Sequence, residues 1–310
     1  MTLPPITSPR KPSTLQIHAV HVPTTLPDHE AYRSHLHLLR HDPEAVQEIQ
    51  RYRLIDDSKR ALVSRLLPRY VLALQGLDWR QVRFEKGEYA RPLAVSRFIA
   101  SEPSTKCSPS SSRLTYISQI HPNLPKGFQY SASHDAEWVI CASTFGTDHG
   151  QDLPRVQNIG VDVMRLMIPW ENVDQKGMLD IMKDHLSFTE LAHIQSDPNP
   201  DLEKLFSYWV LKEAYIKARS LGLRGFPELK RIEFHLDAKA PDGCWGWKTV
   251  KGSLDRVQLD GWCFGLKTFD GGRYLLGMAL ELDGGGEVEE PSWEVVVLDR
   301  ATILDTLQCG

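Results

Sequence analysis

Asp162 stands in Ile159-Gly-Val-Asp-Val163, a carboxylate between two valines in a run that reads as a buried strand. Such a group is costly in apolar surroundings unless it is ion-paired, protonated or bound to a metal. Fifty-one residues later (213 − 162), the segment Trp209-Val-Leu-Lys-Glu-Ala-Tyr-Ile-Lys217 carries Glu213 and Lys217 at i and i+4 of a helical pattern. Both therefore project to the same side. On a surface the pair would be worth only about 0.3–0.5 kcal/mol, but Trp209 and Ile216 beside it mark the face as partly buried. His134 follows Ser133 in a polar turn between two apolar runs. Basic residues gather at Arg60, Arg65 and Arg69, and again at Lys86 and Arg91. Each has a plainer alternative: a salt bridge for Asp162, a structural turn for His134, a solvated face for the arginines. Two carboxylates can instead share a hard divalent cation such as Mg²⁺, which takes oxygen ligands and often shares them with substrate phosphates. Arginine forks and an imidazole suit phosphate oxygens. Together the set equips a phosphate-transfer site, where cations neutralise developing charge and a carboxylate receives a proton.

Periodicity indicates which elements hold these groups. Leu15 to Val22 alternates as a half-buried strand, and apolar residues recur at helical spacing from Pro43 to Leu74, with Asp56 and Asp57 as a cap and Pro68 as a kink. A short strand is expected at Val82 to Phe84. Strands flank the turn at His134, the second spanning Trp138 to Ala142, and Asn158 to Met167 forms the strand of Asp162. Helices are expected at Met178 to Leu186, Thr189 to Gln195 and 201–220, the last ending at Gly222. Downstream the pattern is mostly strands: 231–236, 244–251, 257–266, 274–282 and 293–298, with a turn at Asp270-Gly271-Gly272.

The 310 residues suggest two domains or subdomains at about 150 residues each. We expect an N-terminal unit of 1–150, with 1–14 disordered and 101–112 a mobile Ser/Pro-rich loop. A C-terminal unit of 151–310 would end in a tail after 284. With 41% hydrophobic and 25% charged residues the composition is that of a soluble α+β chain. Thirty-six basic against 40 acidic side chains give a net charge of −4, so no overall positive field draws it to nucleic acid. No apolar run reaches the roughly 18 residues of a membrane span, and the Pro-rich start lacks a signal-peptide core. The five scattered cysteines form no CxxC or disulfide framework, so a cytoplasmic chain with free thiols is expected.

The pairing of the Gly-Val-Asp strand with Trp209-Val-Leu-Lys-Glu-Ala-Tyr-Ile-Lys217 resembles the signature of the 4′-phosphopantetheinyl transferases, in their large, surfactin-synthetase-type branch. Glu88-Tyr-Ala-Arg-Pro92 is similar to that family's Gly-Lys-Pro loop, and Ser131-Ala-Ser-His134 to its Asn-[Ile/Val]-Ser-His turn. The resemblance covers about residues 60 to 283. It implies two similar α+β halves related by a pseudo-twofold, with coenzyme A in the cleft between them, acting as a monomer. It also implies transfer of the phosphopantetheine arm of coenzyme A to a serine of an acyl or peptidyl carrier protein, releasing adenosine 3′,5′-bisphosphate. A eukaryotic, fungal-like member would serve fatty acid, polyketide and peptide synthases and the aminoadipate reductase of lysine synthesis.

Carried over by position, Asp162 and Glu213 would hold Mg²⁺, with Glu213 also the base for the carrier serine. Lys217 would contact the phosphates. Ser133 and His134 would hold the 3′-phosphate, helped by Arg65, Lys86 and Arg91, and Lys212 would support rather than catalyse. Met164 replaces the third metal carboxylate of many bacterial relatives, and Ala90 replaces the loop glycine. Asp135 and Gln119 have no assigned role. A non-catalytic coenzyme A or carrier-binding protein of the same fold is the alternative.

Overall fold

A computed structural model of the chain describes residues 14–86, 92–96, 128–144, 156–196, 202–221, 229–237, 249–282 and 292–309. Of the segments expected to be irregular, 1–13 and 101–112 lie outside them, as do the Gly222 stop, Arg91 and Ala90; Thr14, expected in the disordered start, begins the first strand. Helices α1 (Val22–Thr25), α2 (His29–Leu38), α3 (Pro43–Gln50) and α4 (Ile55–Leu74) follow strand β1 (Thr14–His21). Strands β2 (Val82–Lys86) and β3 (Pro92–Ser96) form a hairpin, and β4 (Gln129–Asp135) and β5 (Trp138–Thr144) another. After β6 (Val156–Arg165) come α5 (Gln175–Met182), α6 (Phe188–Gln195) and α7 (Leu202–Arg219). Strands β7 (Ile232–Leu236), β8 (Val250–Leu254), β9 (Val257–Gln258), β10 (Trp262–Phe269), β11 (Tyr274–Leu282) and β12 (Ser292–Leu298) lead to α8 (Arg300–Cys309).

Two sheets carry the architecture, one in the order β12-β1-β5-β4 and one in the order β10-β11-β6. Their side-chain alternation sorts the core into layers. From β1 and β5, Ile17, Ala19, Ile140 and Ala142 face a core shared with Ile159, Val161 and Val163 of β6 and with Leu276, Met278 and Leu280 of β11. The opposite faces turn outward: Val20, Val139 and Cys141 pack on Leu62, Leu66 and Tyr70 of α4. Leu275, Ala279 and Phe264 pack with Leu211, Ala214 and Ala218 of α7. The order is thus helix, sheet, sheet, helix, an α+β arrangement in which both β6 and α7 lie at interior boundaries.

Several expectations are corrected. Ser133, His134 and Asp135, expected in the turn, lie in strand β4, and the turn falls at Ala136-Glu137. Pro68 does not divide its helix; α4 runs unbroken through it, and it begins at Ile55 with Asp56 and Asp57 in the first turn rather than at the cap. The long strand expected over 257–266 splits at Gly261, whose φ of +78° turns the chain. The segment after 284 is not an appended tail. Its strand β12 pairs in parallel with β1, from Thr14↔Ser292 to Val20↔Leu298, and buried Ile303 and Leu307 of α8 join the core around α4. Cys141 is buried in that same core and Cys263 lies at half-buried depth, both as free thiols; burial pushes the Cys141 thiol up to about 12.

Helix α7 sits on its sheet with almost nothing between. A Cβ at Gly160 of β6 would overlap the carbonyl oxygen of Ala214 and lie 2.5 Å from Ala218 N. One strand over, a Cβ at Gly277 would run into Val210, and Gly277 is the register partner of Asp162. We therefore predict that Gly160→Ala forces α7 off the sheet and destabilises the fold by about 3 kcal/mol, the upper range for overpacking. The measurement is the urea midpoint, and an unchanged midpoint would show that the helix is not held at this distance.

Candidate active site

The site is built where the edge strands of the two sheets meet. Residues of β4 alternate between two directions. Tyr130 and Ala132 pack toward α4, whereas every second residue from Gln129 to Asp135 reaches β6. Gln129 Nε2 donates to the Gln157 carbonyl. Ser131 Oγ accepts from Val161 N at 3.1 Å, Ser133 Oγ donates to Asp162 Oδ1 at 2.7 Å, and Asp135 Oδ2 accepts from Arg165 N at 2.7 Å. An edge strand leaves one row of amides without ladder partners. Here the side chains of β4 meet the edge of β6 and bind it at four points.

Asp162 lies in the middle of this seam and is buried. Helix α7 delivers two groups to it from one face, as the i and i+4 spacing of Glu213 and Lys217 requires. Lys217 Nζ donates to Asp162 Oδ1 at 2.5 Å and to Ser133 Oγ at 2.7 Å. Glu213 lies within the same field. Its carboxyl is pushed up to about 6, first by burial and then by the charge of Asp162, with Lys217 pulling the other way. Its Oε1 is buried without a hydrogen-bond partner, although buried polar atoms are nearly always paired. Among the described residues nothing meets that atom.

The basic residues divide. His134 is exposed, and its pKa is lowered by desolvation and by the charges of Arg60 and Lys217. Arg60 Nη1 donates to the Ala136 carbonyl at 2.9 Å, two residues beyond His134, and pairs with Asp57. Arg65 lies five residues further along α4, roughly 7.5 Å by helical rise. It bonds Glu48 at 2.5 Å, so the structure gives it an ion pair rather than bringing it to His134. Arg60, a member of the same basic cluster, is the arginine of α4 that lies at the β4–β5 turn. Lys86 ends β2; Arg91 lies outside the described residues. Arg69 is buried against Asp42 and over the Phe84 ring, at 4.4 Å.

Lys212 plays the supporting part expected of it. Fully buried, it donates to the carbonyls of Leu229 (2.6 Å) and Ile232 and pairs with the equally buried Glu190 at 2.8 Å. Glu190 closes a capping box with Ser187 and accepts from Phe234 N at 2.9 Å. This ion pair ties α6, α7 and β7 together behind the site, so the residue next to Glu213 anchors the helix that presents it.

Among the described residues no three His, Cys, Asp or Glu side chains gather as a metal site. Two carboxylates suffice for a cation that draws its remaining oxygens from a phosphorylated ligand and water, the usual habit of Mg²⁺. The unpartnered Glu213 Oε1 beside Asp162 fits that habit. Met164, where some relatives would add a carboxylate, packs instead among the apolar residues around α7.

Two family models match the chain. One, described as 4′-phosphopantetheinyl transferase, N-terminal, covers residues 26–146; the other, the 4′-phosphopantetheinyl transferase superfamily, covers residues 158–251. Asp162, Glu213 and Lys217 fall within the second, and Ser133 and His134 within the first. The chain is similar to the L-aminoadipate-semialdehyde dehydrogenase-phosphopantetheinyl transferases of Rattus norvegicus and Homo sapiens. The first is 24% identical over 255 residues, covering 81% of this chain and 71% of the relative. The second is 25% identical over 253 residues, covering 81% and 70%. It is also 28% identical over 252 residues to the 4′-phosphopantetheinyl transferase pptA of Paxillus involutus, covering 78% of this chain and 79% of the relative. No helix among the described residues is long and apolar enough to cross a membrane.

The Glu213 carboxyl makes a prediction that needs no ligand. Its folded pKa of about 6 lies above the ordinary 4.5, so the folded state favours the protonated form. That contribution is complete below pH 4.5 and is lost as pH rises through 6. Glu213→Gln, which never ionises, should therefore be more stable than the wild type at pH 8 by up to about 2 kcal/mol. The gap should close toward pH 4.5. Urea titrations at the two pH values measure it; a variant less stable than wild type at pH 8 would contradict the burial argument.

Proposed function

The chain belongs to the 4′-phosphopantetheinyl transferase superfamily and is a transferase, and on that premise we propose the reaction and the roles of its residues. The phosphopantetheine arm of coenzyme A is transferred to a serine hydroxyl of an acyl or peptidyl carrier protein. The serine oxygen forms a bond to the pantetheine-side phosphorus, the pyrophosphate bond breaks, and adenosine 3′,5′-bisphosphate leaves. The observation that carries this reading is the convergence of Asp162, Lys217 and the unpartnered Glu213 Oε1 at the seam between the two sheets.

Asp162 and Glu213 would hold Mg²⁺, which when bound supplies positive charge to the pyrophosphate. Glu213, with a pKa near 6, is ionised at neutral pH yet basic enough to accept the serine proton, the range in which general bases work well. Lys217 neutralises charge on the departing phosphate from its position beside Asp162. His134 and Arg60 sit on the α4 side of β4 and would take the 3′-phosphate; Arg91 and Lys86 are proposed to add charge there. The carrier is a protein domain with a modifiable serine, and the names of the relatives favour an aminoadipate-semialdehyde dehydrogenase among the substrates. A monomer in the cytoplasm, built of halves dividing near residue 150 with coenzyme A between them, completes the proposal. The intact trio of Asp162, Glu213 and Lys217 supports turnover over binding alone.

Intact-protein mass spectrometry tests the reaction. An apo acyl carrier protein incubated with this protein, coenzyme A and Mg²⁺ should gain one phosphopantetheine arm, and should gain none in a parallel tube with EDTA. No mass gain on any carrier, together with no binding of coenzyme A by calorimetry, would overturn the reading. His134→Ala should weaken coenzyme A about tenfold while changing dephospho-coenzyme A less than twofold. Equal losses for the two ligands would remove His134 from the 3′-phosphate.

A further inference from the structure

We propose that Ser133 is a positioning residue that holds Asp162 and Lys217 in register, and that it does not bind the nucleotide's 3′-phosphate beside its neighbour His134. The inference rests on the site reading above and deepens it. Successive side chains of a strand point to opposite faces, and β4 is a regular strand through both residues, with Ser133 opposite Ile140 and His134 opposite Val139 in the register of β5. Ile140 belongs to the core between the sheets and Val139 to the core under α4. The two side chains of the Ser-His pair thus leave β4 in opposite directions. His134 is exposed and feels the charges of Arg60 and Lys217. Ser133 is 6% exposed and turned toward β6.

The single donor of that hydroxyl, the only group with which it could bind a phosphate oxygen, is committed on the inner side. It donates its single proton to Asp162 Oδ1 at 2.7 Å and accepts from Lys217 Nζ at 2.7 Å, while Lys217 itself reaches the same Asp162 oxygen. The three atoms close a ring of hydrogen bonds joining β4, β6 and α7. Such a ring fixes the rotamer of the Asp162 carboxylate and the height of the Lys217 ammonium together. A hydroxyl that orients a metal-binding carboxylate typically matters tenfold to a hundredfold in metal affinity or activity. Its removal leaves His134 and Arg60 in place on the other face of β4, where Lys217 reaches His134 through its charge.

Three variants, Ser133→Ala, the near-isosteric Ser133→Cys and His134→Ala, separate the two roles. For each, Mn²⁺ affinity is measured by electron paramagnetic resonance in the presence of coenzyme A. The affinities for coenzyme A and dephospho-coenzyme A are measured by calorimetry without metal, and thermal melting reports the fold. Both Ser133 variants should lose about tenfold in Mn²⁺ affinity while keeping the coenzyme A to dephospho-coenzyme A ratio within twofold of wild type. His134→Ala should show the reverse. A collapsed ratio in either Ser133 variant, or unchanged Mn²⁺ affinity in a folded one, would overturn the proposal. A wild type that binds neither coenzyme A nor Mn²⁺ would instead defeat the reading on which it rests.

Discussion

The near-contact of α7 with β6 is the constraint on which the rest depends. Gly160 has no side chain because the carbonyl of Ala214 lies where its Cβ would be, and Gly277 repeats the condition against Val210. At that separation Asp162, two residues along from Gly160, comes within hydrogen-bonding distance of Lys217, one turn of helix beyond Glu213. A larger residue at either glycine would push the helix away from the strand, and the carboxylates and the ammonium would part. The glycine before Val-Asp in the strand and the alanine after Glu213 in the helix are therefore two halves of one packing requirement.

That closeness concentrates charge at a boundary without a continuous backbone ladder. The two sheets meet edge to edge, and β4 fastens itself to β6 with Gln129, Ser131, Ser133 and Asp135. Polar side chains there do what ladder hydrogen bonds do elsewhere, and they bring Ser133, Asp162 and Lys217 together at the boundary. The cost appears at Glu213, whose carboxyl is buried beside another carboxylate and whose Oε1 is unmet. Behind the seam the fully buried Glu190–Lys212 pair ties α7 to α6. Breaking one partner of such a pair leaves an uncompensated buried charge.

Much of this was legible in the sequence. The strand of Asp162 and the helix of Glu213 and Lys217 follow from an apolar run and an i, i+4 spacing, and the structure brings these residues together. Lys212, expected to support rather than catalyse, is buried in an ion pair with Glu190. What escaped the sequence depends on long-range register. Arg60 and Arg65 look alike along α4; only the presence of Glu48 beside one and of the β4–β5 turn beside the other separates them. Asp135 gains its role from the amide of Arg165 in another sheet, although its alternation with Ser131 and Ser133 was a usable sign. Helix α2 and the return of β12 and α8 to the first sheet were not legible, because parallel pairing with β1 leaves no local mark on either strand.

The central claim is that the carboxylates gathered by this seam act as a cation site completed by a phosphorylated ligand. Electron paramagnetic resonance of Mn²⁺ tests it most directly, comparing the wild type with Glu213→Gln, each with and without coenzyme A. The account predicts that coenzyme A tightens Mn²⁺ binding to the wild type at least tenfold and that the variant loses this effect while still folding. Mn²⁺ binding that is indifferent to coenzyme A, or the same in the variant, would contradict it.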